Sequence, residues 1–325
     1  MQSMISSVRV FAPASVSNLG PGFDILGLAI EQPGDLVEAE FGDAPGIEIV
    51  EITGEGGVLP SDAARNVAGV AAADVLRRLH EGAAGGLTAG TKPGVRIHLH
   101  KRMPLASGLG SSAASSVAAA VAVNELHGRP FTPRELLASA VEGERVASGS
   151  PHADNAAPCL LGGIILVRTY EPLDVLELPV PPDLWVVVVH PHCSIRTAEA
   201  RALVFERRYS LAECVANMGN LGAFVGALYR GDLQLVGRSI SDQLIEPIRA
   251  RLIPGFSAVK EAALAAGALG CSISGSGPSV FALSDNGAAA RRIAALMAGA
   301  FQTDGHVSSD SYVGRVNTEG AHVVD

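Results

Sequence analysis

Two periods of hydrophobic and polar positions alternate along this chain of 325 residues. Val95, Ile97 and Leu99 are separated by polar residues, the period of two expected of a half-buried strand. Residues 113–126 form a run of small and apolar side chains typical of a helix, and Gly128 is placed to end it. The same patterns predict strands at residues 8–12, 36–41, 46–52, 163–168 and 185–190, a strand–turn–strand unit at 271–283, and helices at 66–79, 136–147, 214–230, 232–241 and 257–266. This mixture predicts an α+β fold.

Length and composition narrow the class of protein. Hydrophobic residues make up 48% of the chain and charged residues 18%, which is typical of a globular protein rather than a disordered one. A chain of 325 residues buries most of its unfolded surface, and we expect two domains rather than one. The formal net charge of -9 argues against a nucleic-acid partner held by a basic surface.

The cellular compartment is also indicated by composition. The cysteines are scattered without a C-x-x-C pair, which is typical of a cytosolic protein with reduced thiols. The N-terminus lacks a charged segment followed by an apolar one, so we expect no secretory signal. Because no apolar run reaches roughly 18 residues, we expect no membrane-spanning segment. These features predict a cytoplasmic protein without a membrane partner.

The most informative segment is the run PLASGLGSSAA at residues 104–114, between the predicted strand and the predicted helix. Gly108 and Gly110 allow positive φ angles and a close approach of the backbone to a ligand. Ser111 is placed to act as the N-cap of the helix. The first free N–H groups and the positive end of the helix dipole then face whatever the loop encloses, an arrangement that suits a polyphosphate.

Three interpretations compete for this loop. It can be a plain connection between a strand and a buried helix, which recurs in many folds. Gly108, Gly110 and Ala113 fit the dinucleotide-binding pattern G-x-G-x-x-A, but that pattern requires a buried strand leading directly into the glycines. Here the strand alternates in polarity and residues 101–107 intervene. A Walker A loop is excluded because no lysine followed by serine or threonine closes the run, so the third interpretation is another kind of phosphate loop.

That third kind has a known counterpart, because residues 104–114 resemble the phosphate loop of the GHMP kinases letter for letter. PASVSNLGPGFD at residues 13–24 and GCSISGSGPS at residues 270–279 are similar to the first and third motifs of the same family, in the right order. The resemblance implies an ATP-binding N-terminal domain like ribosomal protein S5 (residues 1–168) and a ferredoxin-like C-terminal domain (residues 169–325). It also implies an active site between the two domains.

Further segments resemble the branch of this family that phosphorylates homoserine, a zwitterion with a side-chain hydroxyl. They are HADNAAP at residues 152–158, residues 197–201, and EPIR at residues 246–249. The resemblance implies that Arg201 and Arg249 bind the substrate carboxylate, which arginine can hold with two hydrogen bonds. It also implies that Asp24 faces the ammonium group. The other implied substrate-binding residues are Asn18, His152, Asn155, Thr197 and Gly275.

Alternatives exist for both arginines, since the residues alone allow Arg201 on a helix surface and Arg249 as a cap at a helix end. Phosphoryl transfer needs a phosphate cradle, a metal ion and a positioned hydroxyl. The resemblance implies ATP as the phosphoryl donor and Mg²⁺ as the metal, held by Ser112 and Glu144. Glu142 is the local alternative, and a solvated helix face is the alternative for either glutamate.

The ATP-binding residues implied by the resemblance form two groups along the chain. Asn66 and Val67 match positions that contact adenine in the family, and Lys101 lies close enough to the loop to approach phosphates. A lysine that only ends a strand is the commoner case. The loop itself supplies Pro104, Leu105, Ala106, Ser107, Gly108, Leu109, Gly110, Ser111, Ser112, Ala113 and Ala114.

Asn155 stands where related kinases for mevalonate and galactose carry an aspartate credited as the base. An amide does not accept a proton usefully. A loose phosphoryl-transfer transition state also needs little early deprotonation of the nucleophile. We therefore expect catalysis by positioning and electrostatics, with Asp154 as a base the alternative. The catalytic residues implied are Asn18, Ser112, Glu144 and Asn155.

The expected function is ATP-dependent phosphorylation of homoserine to O-phosphohomoserine in threonine biosynthesis. Another small-molecule GHMP kinase is one alternative, but mevalonate lacks an ammonium group and sugars lack both charges. A non-catalytic nucleotide or amino-acid sensor is the other alternative, although a sensor is expected to have lost Glu144 or Ser112. The resemblance also implies a homodimer.

Overall fold

Two β-sheets organise the computed structural model, which describes residues 6–54, 56–82 and 93–325. The strands are β1 (Ser7–Ser17), β2 (Leu26–Gly42), β3 (Ile47–Thr53), β4 (Gly94–His100), β5 (Ile164–Tyr170), β6 (Leu173–Leu178), β7 (Trp185–Pro191), β8 (Gly270–Ile273), β9 (Val280–Ser284), β10 (Ser309–Arg315) and β11 (His322–Val324). The helices are α1 (Val67–Gly82), α2 (Ser111–Leu126), α3 (Pro133–Ser148), α4 (Ala153–Leu161), α5 (Thr197–Glu206), α6 (Leu211–Arg230), α7 (Leu233–Ser239), α8 (Glu246–Arg249), α9 (Phe256–Ala265) and α10 (Gly287–Thr303). The predicted α+β class is confirmed.

The first sheet is organised by the long strand β2. Its second half pairs with β1 and β4, and its first three residues pair with β5. The strand order is β11-β1-β2-β4-β3, with β6 paired to β5. Both β6 and β11 lie after residue 168 in the chain, yet they extend this first sheet. The division of the chain between residues 168 and 169 stays a prediction.

Helix α2 is the central helix of the first half. Residues 113–124 are buried all round the helix, as expected for one whose whole circumference is apolar or small. Alanine and serine side chains allow α1, α3 and α4 to pack closely against it, together with β1 and β2. The N-terminus of α2 is therefore held rigidly, and this is the end that carries the phosphate loop.

The second sheet, in the order β10-β7-β9-β8, lies between two hydrophobic cores. Along β7, Val187 and Val189 face one core together with Met297 and Phe301 of α10. The alternating residues Val186 and Val188 belong instead to the larger core, which is continuous with α2 and the first sheet. Because alternate residues of β7 face opposite sides of the sheet, this one strand contacts both hydrophobic cores.

Most predicted elements are present, and several are longer than predicted. The strand predicted at 163–168 is Ile164–Tyr170, and the helix predicted at 257–266 is Phe256–Ala265. The pattern did not indicate β6, β10, β11, α4, α5 or α10. Helix α5 carries part of the site described below.

Helix α6 departs from the expected absence of a membrane-spanning segment. It has 20 residues, enough in length and composition to cross a membrane, and only 22% of its most apolar 18-residue window is buried. Asn217 nevertheless donates to the Pro21 carbonyl at 2.9 Å, and Phe224 is fully buried. One such helix carries little weight as a membrane segment, because these contacts fix α6 to the rest of the fold.

Candidate active site

A cavity of about 550 Å³ opens where the phosphate loop, α3, α5 and the loop after β8 meet. That volume is sufficient for a nucleotide and a small second substrate. Its walls include most residues predicted for the site. They are Asn18, Asp24, Asn66, Val67, Lys101, Leu105, Ala106, Ser107, Gly108, Gly110, Ser111, Ser112, Glu144, His152, Asn155, Thr197, Arg201, Arg249 and Gly275.

Gly110 fixes the start of α2 and with it the phosphate cradle. It is the N-cap, with φ of 68°, and no side chain caps the helix. A Cβ on Gly110 would lie 2.1 Å from Ser15 Oγ, so no larger residue fits. The expectation that Ser111 is the N-cap is wrong, because the helix begins one residue earlier than that role requires. The first-turn N–H groups are thus left for a ligand, which suits phosphate.

The third motif holds the loop from the other side. Ser274 Oγ donates to the Gly108 carbonyl at 2.6 Å, and Ser279 N donates to the Ser107 carbonyl at 3.1 Å. Gly108 has φ of 79°, and a Cβ there would lie 2.4 Å from the Ser274 carbonyl oxygen. Two motifs far apart in sequence therefore define one loop conformation.

Lys101 ties the two ends of the loop together. Its buried ammonium contacts the Asp35 carboxylate and donates to the Ser111 carbonyl at 2.8 Å and to Ser115 Oγ at 2.7 Å. Burial lowers the pKa of Lys101, and Asp35 opposes that shift. Asp35 Oδ1 also accepts from Arg102 N at 2.9 Å. Lys101 lines the cavity, but these contacts make it a structural clamp on the loop.

Glu144 and Ser112 form the candidate metal-binding pair. Ser112 Oγ donates to Glu144 Oε2 at 3.0 Å, and Glu144 is buried. Burial raises the pKa of Glu144 to about 7, while Ser112 and Lys101 act in the opposite direction. A hydroxyl and a carboxylate are hard oxygen donors of the kind Mg²⁺ prefers, and a divalent cation stabilises the ionised carboxylate. Glu142, the local alternative, is exposed and lies 3.3 Å from Arg145.

Asp24, Arg201 and Arg249 meet at a second part of the cavity wall, the Asp24 end. Arg201 donates two hydrogen bonds to the Asp24 carboxylate, at 2.6 Å and 3.2 Å. Arg249 is buried and donates to the Gly275 carbonyl at 2.8 Å. Its Nε has no hydrogen-bond partner among the described residues, and burial lowers the pKa of its guanidinium. A buried cation with an unpaired N–H suits a carboxylate ligand.

Asn18 connects this end of the cavity to the first and third motifs. Its Nδ2 donates to the Gly275 carbonyl at 2.8 Å, and its Oδ1 accepts from Asp24 N at 3.0 Å. The backbone of Asp24 is therefore fixed independently of its carboxylate. The Tyr170 hydroxyl adds a further bond to the Asp24 carbonyl at 2.6 Å.

Asn155 and Asp154 lie between the phosphate end and the Asp24 end. Asn155 Oδ1 accepts from Ser15 Oγ at 2.9 Å, and its Nδ2 lies 3.5 Å from Asp154 Oδ1. Burial and the nearby Asp24 carboxylate raise the pKa of Asp154 to about 7. His152 Nδ1 lies 3.9 Å from Asp154 Oδ1, and burial lowers the pKa of that imidazole. Asn155 therefore offers an amide donor here, and burial disfavours the charged forms of its two neighbours, Asp154 and His152.

Comparison with known proteins assigns the chain to a family. The model of the GHMP kinases N terminal domain matches residues 67–163, and that of the GHMP kinases C terminal domain matches residues 224–301. A homoserine kinase of Chloroherpeton thalassium is 45% identical over 98% of this chain and 100% of its own length. The chain belongs to the GHMP kinase family. A homoserine kinase of Arabidopsis thaliana is 42% identical over 98% of this chain and 85% of its own length.

Solved structures of GHMP kinases confirm the predicted fold. The crystal structure of homoserine kinase from Cytophaga hutchinsonii has a TM-score of 0.93 and 48% identity, and covers 100% of this chain and 99% of that one. Mevalonate kinase of L. major, solved with R-mevalonate, has a TM-score of 0.72, covering 97% of this chain and 99% of that one. At 19% identity this second similarity concerns the fold alone.

A few predicted residues of the GHMP kinase loop lie outside the cavity wall. Leu109, Ala113 and Ala114 are fully buried in the core, and Pro104 does not line the cavity. The buried side chains help to fix the loop, and the predicted contact of these four residues with ATP stays a prediction. Leu109, for example, accepts from Ser15 N at 3.0 Å through its carbonyl.

Other cavity residues were missed by the sequence analysis or considered in a different role. Among those missed, Arg65 and Arg196 are exposed cations at the wall, a pattern no local motif distinguishes from ordinary surface arginines. The predicted residue Asn66 has both side-chain polar atoms bonded to backbone: its Nδ2 donates to the Pro60 carbonyl at 2.8 Å, and its Oδ1 accepts from Ala68 N at 3.0 Å. The remaining unpredicted wall residues are Ser17, Leu59, Pro60, Ser115, Ala198 and Ser276, whereas Asp154 was considered as an alternative base.

Proposed function

We propose that this protein transfers the γ-phosphoryl group of ATP to the side-chain hydroxyl of homoserine, giving O-phosphohomoserine for threonine biosynthesis. The observation that carries the proposal is that one cavity is lined both by a helix N-terminus and by two arginines with Asp24. The helix N-terminus suits a polyphosphate. The arginines and Asp24 offer both charges that an amino acid zwitterion requires.

The reaction is an in-line exchange of one P–O bond for another. The homoserine hydroxyl oxygen bonds to the γ-phosphorus while the bond from that phosphorus to the ADP oxygen breaks. The hydroxyl proton passes to an oxygen of the transferred group. Mg²⁺, when held by Ser112 and Glu144, neutralises charge on the phosphates. The loop N–H groups and the fixed N-terminus of α2 stabilise the same charge without reorganising.

Positioning supports this chemistry without a strong base. Asn155 offers an amide, and its Oδ1 is already bonded to Ser15. Asp154 has a raised pKa of about 7 because it is buried beside Asp24. A loose transition state requires little deprotonation of the nucleophile, so orienting its hydroxyl is the main task. We assign that task to Asn18 and Asn155.

The substrate end favours an amino acid over the other acceptors of the GHMP kinases. Arg201 and Asp24 are both only partly exposed, with side-chain exposures of 22% and 26%. Mevalonate offers no cation to Asp24, and a sugar offers no charge to Asp24 or to either arginine. A non-catalytic sensor is disfavoured because Ser112 and Glu144 are retained and hydrogen-bonded to each other.

A coupled assay of ADP release tests the proposal directly. The purified protein is supplied with Mg-ATP and, in parallel, homoserine, mevalonate, galactose and shikimate. Homoserine should give by far the highest kcat/KM, and phosphorus NMR should identify a phosphomonoester product. Turnover of another acceptor in preference to homoserine would refute the proposed substrate, and ADP release independent of acceptor would refute the transfer.

We further propose a cytoplasmic homodimer. The four cysteines are free, as in proteins of a reducing compartment. Helix α6 offers a surface for a second copy, since Leu211, Val215 and Met218 are exposed at 78%, 55% and 59%. Nothing lies within 4 Å of a Cβ built on Gly219 or Gly222, so another helix could approach closely there. Light scattering on the purified protein tests the oligomeric state.

A further inference from the structure

Phe205 is a large aromatic residue with an exposure of 71% on helix α5. It lies one turn after Arg201, and its ring centre is 5.5 Å from the Arg201 guanidinium carbon. At this exposure Phe205 contributes little to the hydrophobic core, so we consider the contact that its ring makes. That contact is to a cation at the substrate end of the cavity.

Phe23 contacts the same cation and a second one. Its ring centre lies 5.7 Å from the Arg201 guanidinium carbon and 5.0 Å from that of Arg249. The Phe23 ring is therefore shared by both guanidinium groups. It directly precedes Asp24, whose backbone is fixed by Asn18 and Tyr170. The ring position is thus set by the first motif rather than by α5.

Two cations close together repel each other, and each long side chain has many rotamers. The Arg201 charge contributes to lowering the pKa of Arg249. An aromatic face within about 6 Å attracts a guanidinium and limits its orientations. Because less freedom is then lost when a carboxylate binds, an arginine held in this way binds more tightly. Phe205 and Phe23 meet this description for Arg201.

We propose that Phe23 and Phe205 are positioning residues that keep Arg201, and through Phe23 also Arg249, at the place in the cavity where a substrate carboxylate can replace Asp24 as the partner of Arg201. This inference rests on the proposed function, because it names the residues that make the same site specific for an amino acid. Neither ring touches the reacting atoms. Their effect is on recognition of the substrate carboxylate and not on phosphoryl transfer.

The primary test measures steady-state kinetics of Phe205→Leu against Phe205→Tyr, with Leu203→Ala as the matched control on α5. Phe205→Leu should raise KM for homoserine about two- to fivefold, with kcat and the KM for ATP unchanged. Phe205→Tyr keeps an aromatic face and should restore the wild-type KM. Homoserine methyl ester has no carboxylate charge, so its KM should not respond to Phe205→Leu. Phe23→Leu should raise the homoserine KM more, because that ring serves two arginines.

A spectroscopic readout separates this inference from the proposed function. The Arg201 Nε–H signal in a ¹⁵N–¹H spectrum, assigned by its loss in Arg201→Lys, should be shifted by the ring currents of both phenylalanines. Phe205→Leu should move it and Phe205→Tyr should not, whatever the substrate. An unmoved signal overturns the inference. Unchanged homoserine KM in an active Phe205→Leu enzyme also overturns it, whereas an inactive wild type with the expected signal shift overturns the proposed substrate alone.

Discussion

Replacement of Asp24 by asparagine should have opposite effects on two related substrates. Asp24 is the proposed partner of the substrate ammonium, yet in the structure its carboxylate accepts two hydrogen bonds from Arg201. Arg201 is itself a proposed partner of the substrate carboxylate. A substrate with both charges can replace both partners at once. A substrate with a carboxylate alone must compete with Asp24 for Arg201 and leaves Asp24 unpaired.

The magnitudes follow from the exposure of this ion pair. Its side chains are 22% and 26% exposed, between a surface pair and a buried one. Removing one partner of a desolvated charge pair costs about 2–5 kcal/mol, so Asp24→Asn should lower kcat/KM for homoserine roughly thirtyfold or more. A surface pair is worth up to about 1 kcal/mol, so releasing Arg201 should raise kcat/KM for 4-hydroxybutyrate by up to about fivefold.

The fold should tolerate this substitution. Asp24 has φ of 61°, a conformation that asparagine adopts readily. The contacts that fix Asp24 through Asn18 and Tyr170 involve its backbone and remain in the variant. Asp183→Asn is a suitable control, because Asp183 is exposed and outside the cavity wall. KM for ATP should stay unchanged in both variants.

The assay is coupled ADP release with homoserine and 4-hydroxybutyrate for the wild type, Asp24→Asn and the control. The expected signature is a loss for homoserine together with no loss, or a gain, for 4-hydroxybutyrate. A parallel loss for both substrates would mean that Asp24 supports the structure of the site and does not recognise the ammonium. The argument that Asp24 competes for Arg201 would then be refuted.

Four further predictions concern the metal pair, the loop, a buried acid and the surface of α6. Glu144→Ala should lower kcat about a hundredfold or more while Glu142→Ala does not, since only Glu144 is buried against the proposed metal site; equal effects in a turnover assay would contradict this. Gly108→Ala should lower the free energy of unfolding by about 1–3 kcal/mol and weaken ATP binding in calorimetry. The reason is that the φ of 79° and the Ser274 carbonyl exclude a Cβ at this position, so unchanged stability would contradict the clash. The pKa of Asp154 is raised to about 7, so the stability that its protonated form contributes is lost as the pH rises towards and through 7. Asp154→Asn should therefore raise the melting temperature relative to wild type at pH 8 but not at pH 4. Equal shifts at both pH values would contradict the raised pKa. If the protein is the proposed homodimer, Met218→Glu should convert it to a monomer in light scattering, and an unchanged dimer would exclude this part of α6 as the interface.

The phosphate loop could be predicted from sequence because its signals are local. The period of two in β4, the glycines and the small-residue run of α2 all lie within one segment of about thirty residues, the usual span of such a unit. The position of the N-cap could not be predicted in the same way. Ser111 is a strong N-cap residue in isolation. The structure has Gly110 as the N-cap instead, at a position where Ser15 of a distant strand leaves no room for a Cβ.

Residues that act through distant partners were the ones that sequence reasoning missed or left ambiguous. Asp35 is one of four acids within a long strand, and only its contact with Lys101 reveals that it clamps the loop. The sequence alone allowed two interpretations of Lys101, as a contact to phosphates or as a lysine at a strand end. Helix α5 has apolar residues on its exposed side, so its pattern gave no clear period, although it carries Arg201 and Phe205. Such pairings depend on the topology of both sheets, which no local pattern contains.

The charges at the substrate end also bear on how the reaction proceeds without a strong base. Asp154 favours its protonated form partly because the Asp24 carboxylate is nearby. We propose that an ammonium group bound at Asp24 takes the place of Arg201 there and counters the effect of the Asp24 carboxylate on the pKa of Asp154. Asn155 meanwhile keeps its Oδ1 bonded to Ser15 and offers a donor. In this proposal, recognition of the amino group and preparation of the hydroxyl are coupled through Asp24. A substrate lacking the ammonium should lose kcat as well as affinity for this reason.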